Sequence, residues 1–316
     1  MIKSKFQLKS YIYFLTGLAV YVSAVLYLHF FYVQAFPDFL AVFFIPGVVF
    51  SLIAWLLLRD KRVVLPRAAI KNELWILIAL VAWMILYISW GARFINQFMP
   101  DSWMANEKIN SFIIIVRKLL VFVAVPWLVY RSLGFTGEDF GAKNTLVKLF
   151  SRKGLFVFIV LGGAAVLFQF FLSNGSKPVR NGEFSFQQLA VGLPVCFLWL
   201  FIEAGLVEEF FYRVILQSRL TILLKSPTGG IVITALIFGL SHAPGLYLRG
   251  AESEGVDEQL PFLFWSAYTI AYMSVASIFL GIVWQRTRNL WLIMAIHAML
   301  NLLPNVGYFI KTWDPW

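Results

Sequence analysis

Glu208, Glu209 and Arg213 stand together in the segment GLVEEFFYRVILQSRL, residues 205–220, at the end of a hydrophobic run. Ionisable groups in or beside hydrocarbon cost roughly 3 kcal/mol or more, so a cluster of them there points to function. Two more polar pairs follow on apolar segments: Phe238 and His242 in FGLSH, and His297 and Asn301 in HAMLN. Helical residues four apart share a face, so each pair presents one polar surface. Glu209 and Arg213 have the same spacing and can pair. Glu208, turned by about 100° from its neighbour, is left to face something else.

Depth links the three groups. Glu208 lies 11 residues before Arg219, His242 lies 13 after Gly229, and His297 lies 9 after Arg288. At about 1.5 Å per residue these are roughly 13–20 Å from the basic loops, somewhat to the cytoplasmic side of the midplane. His29, the third histidine, is near the far end of the first span and outside this layer.

A carboxylate, two imidazoles, an amide and a guanidinium suit hydrolysis of a peptide bond without a covalent intermediate. A carboxylate with a histidine activates a water as general base. A histidine and an asparagine donate hydrogen bonds to the oxyanion of the tetrahedral intermediate. Plainer readings compete. The acids and Arg213 also suit a buried ion pair, a histidine also suits packing, and Asn301 alone reads as interhelical glue. Glu203 is on another face and reads as structure or cavity lining. Ser241 lacks the Gly-x-Ser-Gly context of a serine nucleophile. Zinc is a rival, since Glu and His ligate it, but His-Glu-x-x-His is absent and the two histidines fall on different segments, so no cofactor is expected.

The elements that must carry these residues are membrane spans. Of 316 residues, 60% are hydrophobic and 13% charged, with mean hydropathy +0.80. A soluble domain carries about 25% charged residues. The expected fold class is an all-α, polytopic transmembrane helix bundle of about eight or nine spans. A span needs about 20 apolar residues, which places helices near 10–33, 38–58, 73–95, 111–131, 154–173, 188–218, 229–248, 262–285 and 290–310. The fourth is interrupted by Arg117 and Lys118 and is expected to begin late. The sixth is long and amphiphilic towards its end, so a bend is expected. Pro244 and Gly245 in SHAPG are expected to end or kink the seventh.

The formal charge of +10 reflects loops and anionic lipid, not nucleic acid. Basic residues crowd 59–71, 131–153, Arg219 and Lys225, and Arg286 and Arg288, whereas 250–260 carries Glu252, Glu254, Asp257 and Glu258. The positive-inside rule then puts the N-terminus in the cytoplasm and the C-terminus outside. Lys3, Lys5 and Lys9 precede a run too long for a cleaved signal, which reads as a retained first span. Cys196 is the single cysteine, which excludes an internal disulfide. The stretch LGFTGEDFGAKN divides the chain into an N-terminal four-span region, 1–150, of unassigned role, and a five-span region, 151–316, that holds the chemistry.

The three motifs, in order, read Glu-Glu-x-x-x-Arg, Phe-x-x-x-His and His-x-x-x-Asn. Over about 185–310 the chain resembles the CAAX-protease and bacteriocin-processing family of intramembrane glutamic endopeptidases, which includes the type II CAAX prenyl-endopeptidases. The resemblance implies that Glu208 and His242 activate the water, that His297 and Asn301 stabilise the oxyanion, and that Glu209, Arg213 and Phe238 support the site. It implies a protein or peptide substrate in or at the membrane, of a kind that includes lipid-modified ones, with lipids as further partners and the cell membrane of a prokaryote as the location. The family also spans bacteriocin self-immunity and trimming of C-terminal anchors. The non-enzyme alternatives are a transporter, which favours repeated halves with broken helices, and a protective scaffold. No internal repeat is present.

Overall fold

The computed structural model describes residues 2–32, 36–61, 66–140, 151–249 and 260–313. Among them, nine helices are long and apolar enough to cross a membrane. They are α1 (Leu8–Phe31), α2 (Phe39–Leu58), α3 (Glu73–Asn96), α4 (Glu107–Ser132), α5 (Arg152–Leu172), α6 (Phe186–Leu223), α7 (Pro227–Leu248), α8 (Phe262–Thr287) and α9 (Leu290–Trp313). No strand occurs among the described residues. The chain is an all-α, polytopic membrane helix bundle. Trp90, Phe30 and Trp75 are 77%, 71% and 69% exposed, a surface that suits lipid rather than water. The acidic stretch 250–259 and residues 141–150 lie outside the described residues.

Local chemistry explains where these helices begin. The Asn106 side chain accepts from the backbone N–H groups of Lys108 (3.1 Å) and Ile109 (3.2 Å) and so caps α4. Ser185 and Gln188 form a reciprocal capping box at the start of α6, and Ser151 caps α5 through Gly154.

One sequence expectation is corrected. Helix α4 is not delayed by Arg117 and Lys118, because both charges are satisfied: Arg117 donates to the Asn96 side chain and Lys118 pairs with Glu203. Helix α7, expected over 229–248, runs through Pro244 to Arg249, so Pro244 does not end it.

The chain forms two compact units, and both draw on residues from each side of position 150. The first comprises Met1–Phe94, Asp139–Gly141 and Tyr212–Thr287. In it α1 packs on α7 and α8, α2 packs on α8, and α7 packs on α8 and the end of α6. Phe39, Leu28, Ala243, Trp265 and Ala271 are buried together in its core. The second comprises Ile95–Glu138, Ala142–Phe211 and Arg288–Trp316. There α9 packs on α5 and on the first part of α6, over Cys196, Leu200, Ala298 and Val306.

Arg219, counted from sequence among the loop cations, is fully buried in the first unit. Its guanidinium grips both carboxylate oxygens of Glu73, with Nη2 2.8 Å from Oε2. It also donates to the carbonyls of Arg67 (2.8 Å) and Ala68 (3.2 Å) and stands over the buried Phe140 ring. A buried charge persists when its hydrogen bonds are complete, and here carboxylate and backbone carbonyls supply them.

Candidate functional site

Helix α6 holds the candidate acids and has unusual local geometry. Wide π-type turns cover Phe201–Leu206 and Phe210–Gln217, on either side of Val207–Glu209. Such turns shift the hydrogen bond from i+4 to i+5 and occur often at functional sites. Gly205 sits where α6 meets α9. A Cβ there would lie 2.8 Å from the Met294 carbonyl oxygen and 3.2 Å from its Cα, so only glycine allows this approach. One turn onward on each helix, Glu208 and Glu209 reach His297.

The two carboxylates divide around that ring. Glu209, fully buried, accepts a hydrogen bond from His297 Nδ1 at 2.6 Å. The carboxylate orients the imidazole and selects the tautomer with Nδ1 protonated. Glu208 Oε2 lies 3.6 Å from His297 Nε2, with 18% of its side chain still exposed. Sequence reasoning paired Glu209 with Arg213 and missed its bond to His297, because nothing in local spacing connects positions 88 residues apart.

Asn301 follows His297 by one turn on α9 and is half-buried. Its backbone depends on a residue that motif reading passed over. Pro304 lacks an N–H, so the carbonyl of Leu300, four residues earlier, loses its helical donor. Gln169 of α5, 3% exposed, donates to that carbonyl and to Met299 O (3.2 Å), and it accepts from Leu303 N (3.2 Å). It therefore ties the chain on both sides of Asn301. The signal was visible as a lone amide in an apolar span. Gln169→Leu is expected to lower stability by about 1–3 kcal/mol for each backbone group left unsatisfied, read as a fall in Tm of the detergent-solubilised protein. An unchanged Tm would remove this role.

His242, Phe238 and Arg213 belong to the first unit. His242 Nδ1 donates to the Phe238 carbonyl at 2.7 Å, leaving Nε2 as an acceptor when the ring is neutral. The two rings lie 4.8 Å apart. The Arg213 guanidinium stands 5.3 Å from the centre of the Phe238 ring, against which Tyr212 packs edge-on at 4.9 Å. Ser241 Oγ donates to the Phe238 carbonyl at 2.7 Å and lies 2.6 Å from the Tyr212 hydroxyl. Its proton is engaged in a buried setting, unlike that of a free nucleophile. Tyr212 is a second residue that sequence reading did not single out.

The structure thus joins Glu208, Glu209 and His297 in one unit, with Asn301 next on the same helix. It joins Arg213, Phe238 and His242 in the other. Residues 190–303 match a family model, Rce1-like, described as type II CAAX prenyl endopeptidase Rce1-like. All seven motif residues fall inside that match. Comparisons with curated proteins and with solved structures found no match.

Proposed function

We propose that this membrane protein, whose residues 190–303 match the Rce1-like type II CAAX prenyl endopeptidase model, cleaves a membrane-associated or C-terminally anchored protein by means of a water activated by Glu208 and His242. The match supports an intramembrane endopeptidase of the CAAX type in general; the residue roles and the substrate class are our reading.

The observation that carries the assignment is the unequal environment of two adjacent acids. Glu209 is fully buried and occupied by His297, whereas Glu208 keeps an accessible carboxylate. Glu208 is therefore the base. It takes a proton as the water oxygen attacks the scissile carbonyl carbon. His242 supports it by accepting at Nε2, since its Nδ1–H is committed to Phe238. The resulting oxyanion is met by the Asn301 amide and, when its Nε2 carries a proton, by His297, whose Nδ1–H is held by Glu209. Collapse breaks the C–N bond, and the proton passes from Glu208 to the leaving amine. Arg213 and Phe238 brace the helix that presents His242. No metal enters this scheme.

The test uses purified protein in vesicles with a set of membrane-anchored peptides, prenylated and unmodified, and products identified by mass. Cleavage by wild type and by Ser241→Ala, persisting in phenanthroline, is the expected result. Loss in Ser241→Ala would indicate an acyl-enzyme. Loss in phenanthroline restored by zinc would indicate a metalloprotease. Absence of cleavage of every peptide would favour the scaffold.

A further inference from the structure

The first unit contains a cavity of about 420 Å³ enclosed by α1, α2, α7 and α8. That volume falls within the roughly 300–1,000 Å³ of small-molecule sites. Its wall is almost entirely hydrocarbon, including Leu18, Val48, Ile231, Ala235 and Ile278. Two glycines seal the inner side. A Cβ on Gly17 would fall 2.4 Å from Val232 Cγ1, and one on Gly47 would fall 2.2 Å from Val275 Cγ1. At one end Tyr21 and Phe43 stack at 5.0 Å. Sideways, the cavity opens past Phe14, Leu18 and Val48, which are 54%, 38% and 44% exposed.

Length and charge identify the occupant. On α7 the lining runs from Thr228 to Leu236, and on α8 from Ile270 to Ile282. At ~1.5 Å per residue these stretches are about 12 and 18 Å long. One leaflet's share of a ~30 Å hydrocarbon core is about 15 Å, so the cavity spans a single leaflet. It does so on the basic side. Ser10 and Ser226 hydrogen-bond at 3.2 Å, which brings together the helix ends that carry Lys9 and Lys225, both exposed. Arg286 donates to the Lys61 carbonyl at 2.9 Å and joins the ends of α2 and α8. Ser51, on the cavity wall, has a buried hydroxyl without a hydrogen-bond partner among the described residues.

We infer that this cavity binds one acyl chain of an anionic phospholipid, with the phosphate held by the cations at the basic end. A diacyl phospholipid supplies a chain of one-leaflet length, an ester carbonyl able to accept from Ser51, and a negative headgroup for the Lys9 and Lys225 end. The inference rests on the first unit alone and is independent of the protease chemistry.

The test is native mass spectrometry of the whole protein taken from vesicles of dioleoyl-phosphatidylglycerol and dioleoyl-phosphatidylcholine in equal amounts. Wild type is expected to retain phosphatidylglycerol several-fold over phosphatidylcholine. Lys9→Gln with Lys225→Gln, both at the surface, should bring that ratio close to one. Ala235→Phe, which fills the cavity, should abolish retention of both lipids. If Ala235→Phe is not monodisperse, the lysine variant decides alone. Equal retention of the two lipids by wild type, or an unchanged ratio in the lysine variant, overturns the proposal. So does unchanged binding to monodisperse Ala235→Phe. Displacement of phosphatidylglycerol by a prenylated or acylated peptide also overturns it, and would give the cavity to a substrate chain.

Discussion

Glu208→Gln is expected to lower kcat by about 10²–10⁴-fold, the usual loss when a general base is removed. The substitution keeps the shape of the side chain and removes its ability to take a proton. It leaves the His297–Glu209 bond untouched, because that bond is made at Nδ1, on the other side of the ring from Glu208. The side chain is 18% exposed, so the amide can be hydrated without an unsatisfied buried group. The fold should therefore survive, and the loss should fall on chemistry. Single-turnover cleavage of a peptide bound in vesicles, with Tm measured alongside, separates the two. Activity within a few-fold of wild type in a folded Glu208→Gln protein would end the assignment of Glu208 as the base.

Asn301→Ala is expected to reduce kcat by about 10²–10³-fold, as loss of one oxyanion donor does. KM should change little, because an interaction made mainly in the transition state is absent from the bound substrate. The substitution removes the side-chain amide and spares the local backbone. The Asn301 carbonyl still accepts from Asn305 Nδ2 (2.7 Å), and Gln169 still holds Leu300 and Leu303. Asn305→Ala is the comparison: it is exposed on the same helix and should keep nearly full turnover. A rise in KM at constant kcat would make Asn301 a binding residue and remove the oxyanion role.

Much of the bundle is legible in the composition because lipid imposes a simple rule. A spanning helix must satisfy its own backbone and present about 20 apolar residues. Runs such as Phe39–Leu58 and Arg152–Leu172 meet it without help from neighbours. Exceptions arise where a charge inside a run finds its partner elsewhere. Arg117 and Lys118 read as a break in α4, yet Asn96 and Glu203 satisfy them, and those partners are 21 and 85 positions away. Arg219 read as a loop cation because Glu73, its carboxylate partner, is 146 positions distant.

The sequence by itself determined the membrane class, the spans and the three polar motifs, since each depends on residue type and short spacing along one helix. Tertiary structure decided what separates the two glutamates. Their types are identical and their positions adjacent, so nothing local distinguishes them. The difference comes from Gly205, which lets α6 press against the Met294 backbone, and from His297 on α9, whose Nδ1 takes Glu209 and leaves Glu208 accessible. It decided the π-type turns of α6 as well, which displace side chains from the regular 3.6-residue faces that a pattern assumes. Helix-to-helix distances of this kind arise from packing between segments far apart in the chain, and no short window of sequence contains both sides of the contact.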